Sequence, residues 1–137
     1  MKEIPKKWLE VTKQIELIGD DLRKVIKEEG GRTIDQYRNW LDILTGCYMY
    51  LEPLFAKYSA LKRNNEDAKY MDIKNNWGEG KFVSAVADRK ASDSVAKYRY
   101  VRDWLEGWVK AAESGIYTCR RHLSEQTKEV SITKIDE

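Results

Sequence analysis

Three long stretches of the chain repeat apolar residues at alternating steps of three and four. This spacing places the side chains on one stripe of an α-helix. The first stretch runs from residue 5 to about residue 29 and carries Trp8, Val11, Ile15, Ile18, Leu22 and Val25. The second carries Tyr37, Trp40, Leu44, Cys47, Leu51, Leu54, Tyr58 and Leu61, and the third carries Val95, Tyr98, Val101, Leu105, Trp108, Ala112, Ile116, Cys119 and Leu123. The pattern predicts an all-α protein, an elongated helical bundle of three long helices with short connecting helical segments.

Signals for the start and end of a helix flank the first two stretches. Pro5 suits a first helical turn, where its missing N–H costs nothing. Gly30 and Gly31 are typical of a helix end, because glycine tolerates the left-handed conformation found there. Thr33 and Gln36 have the spacing of a capping box, in which each side chain satisfies a backbone N–H of the other residue. They predict the start of the second helix.

Pro53 lies inside the second stretch. Because proline has no N–H and its ring crowds the preceding turn, we expect this helix to be kinked or broken near Leu51. Ser92 or Asp93 is the predicted N-cap of the last long helix, since short polar side chains satisfy orphan backbone donors.

Gly46, Gly107 and Gly115 fall within the predicted helices. Each costs about 1 kcal/mol of helix stability relative to alanine. We therefore expect them at places where two helices approach closely.

A chain of 137 residues has the size of one domain. We assign residues 1–126 to a single helical domain and residues 127–137 to a tail that is flexible or strand-like, since its apolar residues alternate. The two cysteines form no CxxC pair. The first residues lack the apolar block of a signal peptide, and no apolar run approaches the roughly 18 residues of a membrane span. The sequence predicts a soluble protein of the cytoplasm.

The sequence offers little for catalysis or metal binding. His122 is the only histidine and has no second His or Cys at the spacing that zinc requires, so we expect a solvated side chain. The stretch from Trp77 to Lys81 has glycines but lacks the spacer and the Ser or Thr of a phosphate loop. No Ser, His and Asp set has a helpful context. We predict a protein that is not an enzyme, with no catalytic residues, no metal and no cofactor.

The positive charge is unevenly distributed along the chain. The formal net charge is only +2, but residues 1–55 carry −1, residues 56–102 carry +5 and residues 103–137 carry −2. We call residues 56–102 the basic segment. It also contains several aromatic residues, which are Tyr58, Tyr70, Trp77, Phe82, Tyr98 and Tyr100.

Basic side chains interleaved with aromatic ones are typical of proteins that bind single-stranded nucleic acid. Cations follow the phosphates, and exposed rings stack on bases with about 1 to 3 kcal/mol per base. Tyr70 and Tyr100 lie off the apolar stripes and are the better candidates for exposed rings. The predicted nucleic-acid-binding residues are Lys57, Lys62, Arg63, Lys69, Tyr70, Lys74, Lys97, Arg99, Tyr100 and Arg102. An alternative interpretation is that these charges only solvate the outer faces of the helices.

The order of features between residues 57 and 126 resembles the UvsY family of phage recombination mediators. The matching features are Ala60, Leu61, Lys62 and Arg63 at the end of a long helix, a connector with Tyr70 and Trp77, and a short segment from Val83 to Asp88. A long helix with Tyr98, Trp104 and Leu105 follows, and it closes in Ser114, Gly115, Ile116, Tyr117, Thr118, Cys119, Arg120 and Arg121. The resemblance covers about half of the chain.

The resemblance implies a small helical protein that loads a recombinase onto single-stranded DNA. A basic element of that family would fall on Leu61, Lys62 and Arg63, which implies that Lys62 and Arg63 touch DNA phosphates. The resemblance also implies ring-like homo-oligomers, a recombinase and a single-strand binding protein as partners, and the cytoplasm of a bacterial host. The alternative function is a non-catalytic protein-binding module, such as a phage-encoded inhibitor of a host nuclease or an adaptor, whose aromatic residues contact the partner.

Overall fold

The computed structural model describes residues 4–27, 32–78 and 80–136. Within these ranges the chain forms four helices and no strand: α1 (Lys6–Lys27), α2 (Ile34–Asn75), α3 (Ser84–Ser94) and α4 (Ala96–Asp136). The all-α prediction is confirmed. The count of helices differs from the prediction of three, since α3, with 11 residues, is a helix of its own beside three long ones.

The start of α2 follows the sequence prediction. The backbone N–H of Gln36 donates to Thr33 Oγ1 at 3.2 Å, and the N–H of Thr33 donates to Gln36 Oε1 at 3.0 Å. The capping box is therefore confirmed. The predicted stop at Gly30 and Gly31 lies outside the described residues.

Pro53 does not interrupt α2. The helix continues through it for 42 residues, about 63 Å at 1.5 Å per residue. The hydrogen bond that proline cannot donate is the one to the carbonyl of Met49. Both residues are exposed, so solvent can reach that carbonyl, and the loss is small compared with a loss inside the core. The predicted break is wrong, and a bend without a break stays a prediction.

The junction between α3 and α4 corrects the predicted N-cap of the last helix. Ser92 and Asp93 belong to the last turn of α3, and α4 begins at Ala96 after the single residue Val95. The N–H of Val95 donates to the carbonyl of Ser92 at 3.3 Å. The chain therefore turns from one helix into the next without a polar cap.

The predicted tail is helical. Helix α4 passes residue 127 and continues to Asp136, so the strand-like alternative is wrong and no helix end marks the predicted domain boundary. The sequence contains no Gly or Pro after Gly115. Once α4 has formed, nothing in this stretch ends it, because each further residue adds a backbone hydrogen bond.

The main core lies between α1, the first half of α2 and most of α4. Its fully buried side chains include Tyr37, Leu44, Leu51, Leu105 and Cys119. Helices α2 and α4 run antiparallel. Leu44 of α2 meets Gly115 of α4, and Tyr37, which lies earlier in α2, meets His122, which lies later in α4. This pair forms the central layer of the fold.

His122 is not the solvated side chain that the sequence predicts. Its ring stacks on the buried ring of Tyr37 with the centroids 4.8 Å apart and an interplanar angle of 12°. His122 Nδ1 lies 4.0 Å from Glu125 Oε2. The histidine therefore packs between the two helices near the C-terminal end of the bundle.

Helix α1 covers one side of the α2 and α4 pair through aromatic contacts. Trp8 meets Tyr58 of α2 edge-on, with the ring centroids 5.7 Å apart, and stacks on Trp104 of α4, with the centroids 6.3 Å apart. Farther along, Cys47 Sγ lies 3.7 Å from the carbonyl oxygen of Val11. The opposite side of the pair receives no helix from the described residues.

A second, smaller buried group lies beyond the main core. Ala87, Ala91 and Val95 are fully buried but are not part of the main cluster. They lie on α3 and at its junction with α4. The second half of α2, α3 and the first turns of α4 thus form an arm at one end of the bundle, and this arm coincides with most of the basic segment.

Among the glycines of the described ranges, only Gly115 is required by the packing. A Cβ atom at this position would lie 2.8 Å from Leu44 Cδ1, whereas at Gly46 and Gly107 it would meet nothing within 4 Å. The prediction of close helix approach is therefore confirmed for Gly115 and wrong for the other two.

We predict opposite effects of alanine at two glycines of α4. Gly115→Ala should lower the free energy of unfolding by about 1 to 3 kcal/mol, because the buried Leu44 side chain must move. Gly107→Ala should raise it by about 1 kcal/mol, because the position is open and alanine favours the helix. Urea unfolding followed by circular dichroism measures both changes. Equal effects of the two substitutions would contradict the close contact.

Both cysteines are buried thiols. Burial raises the pKa of Cys47, and it raises the pKa of Cys119 from its ordinary value of 9.0 to about 11. The folded state therefore favours the protonated thiol. The stabilisation is complete below pH 9 and is lost as the pH rises towards the folded value.

Cys119→Ala should reduce the loss of stability at alkaline pH. Between about pH 8 and about pH 10, we expect the wild-type protein to lose about 1 kcal/mol more than the variant, because the unfolded thiol ionises first. Urea unfolding at both pH values measures this difference. An identical pH dependence of the two proteins would show that the Cys119 thiol does not contribute.

Candidate nucleic-acid interface

The predicted binding residues all lie on the two central helices. Helix α2 carries Lys57, Lys62, Arg63, Lys69, Tyr70 and Lys74, and α4 carries Lys97, Arg99, Tyr100 and Arg102. Helix α3 carries none of them and connects the two helices at the end of the arm. The fold therefore brings residues that are far apart in the sequence to the same end of the molecule.

The antiparallel register of α2 and α4 sets basic residues side by side. Leu44 of α2 lies level with Gly115 of α4. If the same register is counted along both helices from this contact, Lys57 lies level with Arg102 and Lys62 lies level with Lys97. Each pair joins one residue of α2 to one of α4. Positive charge is therefore concentrated where the bundle passes into the arm.

On α2, the basic residues divide between two stripes. Arg63, Tyr70 and Lys74 are seven and four residues apart, which places them on one side of the helix. Lys62 and Lys69 lie on a neighbouring stripe. Only the first of these stripes combines cations with an aromatic ring.

On α4, the predicted residues also divide. Arg99 and Arg102 are three residues apart and share one side of the helix, and Lys97 and Tyr100 share another. The predicted residues thus form neighbouring strips around the junction of bundle and arm and not a single flat face.

Two of the predicted lysines on α2 are paired with carboxylates. Lys62 Nζ lies 3.1 Å from Glu66 Oε2, and the side chains are only 23% and 29% exposed. Glu66 Oε2 itself is inaccessible to solvent and accepts no hydrogen bond among the described residues, so this contact is an ion pair. Lys69 Nζ lies 3.9 Å from Asp72 Oδ2, and this second pair is more exposed. Lys62 therefore has a structural role in addition to any contact with phosphate.

The two arginines on α4 are held by short hydrogen bonds. Arg99 Nη2 donates to the carbonyl oxygen of Ser92 at 2.7 Å and to its hydroxyl, which fixes the junction of α3 and α4. Arg102 donates to Asp103 Oδ1 through Nη2 at 2.7 Å and through Nε at 3.0 Å. Both guanidinium groups are partly buried.

Three cations and one ring of the predicted set are exposed and have no partner among the described residues. Lys57, Arg63 and Lys97 are exposed and make no ion pair or hydrogen bond with another described residue. Tyr100 is 47% exposed and contacts no other ring in the described ranges. These four side chains are the ones most available to a ligand.

An aromatic cluster closes the turn between α2 and α3. The ring of Phe82 meets the rings of Trp77 and Tyr70 edge-on, with centroid distances of 5.1 Å and 6.0 Å. Lys74 Nζ lies over the Phe82 ring, 5.9 Å from its centroid. Tyr70, which the sequence predicts to be exposed for stacking on bases, is thus half-buried and packs within the protein.

The list of predicted binding residues leaves out Phe82, Trp77 and Lys90. Trp77 and Lys90 line a groove of about 470 Å³ beside the turn. Gly80 allows this turn, since its φ of 104° lies in the region that favours glycine. The signal in the sequence is the pair of aromatic residues on either side of two glycines.

No model of a known protein family, no curated protein and no solved structure matches this chain. In the described part of the chain, no helix is long and apolar enough to cross a membrane. The same ranges contain no group of His, Cys, Asp and Glu side chains that could hold a metal ion.

Phe82→Ala should loosen the arm and leave the bundle intact. The substitution removes the ring that Tyr70, Trp77 and Lys74 contact, and we expect it to cost about 2 kcal/mol locally. Amide hydrogen exchange should become faster in α3 and unchanged in α1. Val83→Ala, at the neighbouring exposed position, is the control. Faster exchange in α1 would contradict the separation of arm and bundle.

Proposed function

We propose that this protein is a single-stranded DNA-binding recombination mediator, which helps to load a recombinase onto DNA. The observation that carries the proposal is the concentration of positive charge at the junction of bundle and arm, where the cations Lys57, Arg63 and Lys97 are unpaired and the ring of Tyr100 is exposed. Cations track phosphates and exposed rings stack on bases, so this combination suits a single strand. The order of features that resembles the UvsY family supports the same proposal.

The proposed mechanism uses several copies of the chain. Each copy contributes a few phosphate contacts and one stacking ring, and a homo-oligomer gains avidity because the contacts along one strand are linked. The strand is held extended, the single-strand binding protein is displaced, and the recombinase starts to assemble on the strand. In this proposal the protein makes and breaks no covalent bond and is not an enzyme.

The contacts that the predicted site residues make within the protein divide them into three groups. Lys57, Arg63, Lys97 and Tyr100 contact DNA directly in this proposal. Lys62, Lys69 and Arg102 add to the local positive potential while each is paired with a carboxylate of its own helix. Arg99 adds to it while it holds the junction of α3 and α4 through Ser92. Tyr70 and Lys74 support the turn through Phe82.

The test is fluorescence anisotropy with a labelled single-stranded oligonucleotide over a range of salt concentrations. A triple variant, Lys57→Gln, Arg63→Gln and Lys97→Gln, should bind at least about tenfold more weakly at low salt, and the salt slope should fall by about 2, since each phosphate contact on a single strand contributes about 0.7. Helicity should not change, because the three side chains have no partner to lose.

The matched control removes the same charge from the other end of the molecule. Lys24→Gln, Arg121→Gln and Lys128→Gln replace exposed cations outside the basic segment and should change affinity by less than about twofold. Equal weakening by both triple variants would contradict the assigned face. An absence of binding at low salt would exclude the DNA-binding function.

A non-catalytic protein-binding module, an inhibitor of a host nuclease or an adaptor, is the second candidate. The specific observation in its favour is that Met49 and Tyr117 are 69% and 68% exposed in one groove between α2 and α4. Exposed apolar side chains that lie together mark protein interaction surfaces. On this candidate, the oligonucleotide would not bind at any salt concentration, and substitutions in the groove would abolish binding to a purified partner.

A further inference from the structure

The side of the α2 and α4 pair opposite α1 carries an open groove. It has a volume of about 490 Å³ and is lined by Thr45, Tyr48, Met49, Glu113, Ile116, Tyr117 and Arg120. Met49 and Tyr117 are the most exposed large apolar side chains of the described residues. Two such side chains in one groove favour a protein partner over solvent.

The charges around the groove are separated by sign. On α2, Arg38, Thr45 and Glu52 are seven residues apart, so they follow one stripe with the cation at one end and the carboxylate at the other. On α4, Glu113 and Arg120 are also seven residues apart. Because the helices are antiparallel, Arg38 and Arg120 share one end of the groove, and Glu52 and Glu113 share the other.

The contacts of Tyr48 support the position of the acidic end. Burial raises the pKa of the Tyr48 hydroxyl, and the carboxylates of Glu113 and Glu52 and a hydrogen bond to Glu113 raise it further. The Tyr48 hydroxyl therefore lies close to both carboxylates. Lys110, also on α4, forms an ion pair with Glu106, with Nζ 2.8 Å from Oε1. At the basic end, Arg120 makes no ion pair with a described residue.

We infer that a second copy of this chain occupies the groove, related to the first by a two-fold axis that passes near Thr45 and Ile116. The charge pattern is nearly symmetric about that point. Arg38 and Glu52 lie about 10 Å from Thr45 in opposite directions along α2, and Glu113 and Arg120 lie about 5 to 6 Å from Ile116 in opposite directions along α4. A two-fold axis sets the basic end of one copy against the acidic end of the other, at both ends of the interface. Tyr117 and Met49 of both copies fill the centre.

The position of the basic segment favours the same antiparallel arrangement. The segment begins at residue 56, about 16 Å along α2 from Thr45 at 1.5 Å per residue. A two-fold axis near Thr45 sends the two basic segments to opposite ends of the dimer. A parallel arrangement would set two segments of charge +5 side by side, which costs electrostatic energy. The dimer therefore displays one arm at each end.

The dimer deepens the proposed function, because that function requires a homo-oligomer. The interface itself does not involve DNA and can be tested without it. Sedimentation velocity of the DNA-free protein over a concentration series measures its dimerisation. We expect a monomer–dimer equilibrium, and Tyr117→Asp should weaken dimerisation at least about thirtyfold, because a central aromatic contact is lost and a carboxylate is buried. Leu17→Asp, at a 53% exposed position of α1, is the control and should leave dimerisation unchanged.

Charge exchange tests the two-fold geometry. Arg120→Glu alone and Glu113→Arg alone should each weaken dimerisation about tenfold or more, since like charges then face each other in both halves of the interface. An equimolar mixture of the two variants should dimerise as well as the wild type, because each copy now complements the other. Circular dichroism of each variant checks that the helices are intact.

Three results would overturn the inference. These are a wild-type protein that stays monomeric throughout the series, dimerisation that is insensitive to Tyr117→Asp, and a variant mixture that fails to recover. DNA binding is measured separately on Tyr117→Asp. A monomeric variant that retains the intrinsic affinity for a short oligonucleotide would leave the proposed function standing, whereas a dimer without any DNA binding would leave only the interface.

Discussion

The close contact between Gly115 and Leu44 is the constraint on which the rest of the fold depends. It sets the spacing and register of the antiparallel α2 and α4 pair, and every other element packs on that pair. Helix α1 covers one side through Trp8, which contacts both helices. The other side remains an open groove. Because α2 and α4 are both longer than α1, they continue past it at one end, and this extension forms the arm with α3.

The register of this pair also decides how the charges of the chain are used. Lys62 and Lys97 come level only because the two helices are antiparallel. Lys62 is paired with Glu66, one turn farther along α2, while Lys97 has no such partner. A count of charges along the sequence cannot separate these two lysines. An ion pair that is largely buried costs more to break than an exposed cation costs to remove. For this reason the residues proposed to touch DNA are fewer than the basic residues of the segment.

The sequence predicted local features well where the signal was local. Apolar steps of three and four identified all three long helices, and the capping box at Thr33 and Gln36 fixed the start of α2. Predictions failed for more than one reason. Pro53 was expected to break α2, but the lost hydrogen bond lies on an exposed side. His122 was expected in solvent, but α2 brings the ring of Tyr37 against it.

The sequence by itself determined the helical class, the lengths of the apolar stripes and the concentration of positive charge in residues 56–102, because these properties depend only on residue types and their spacing. Only the tertiary structure decided that basic residues of α2 and α4 come level, that Tyr70 packs on Phe82, and that Met49 and Tyr117 share one groove. These properties depend on the relative position of helices that are distant in the sequence. That position is set by the packing of α2 on α4, and no pattern within either helix specifies it.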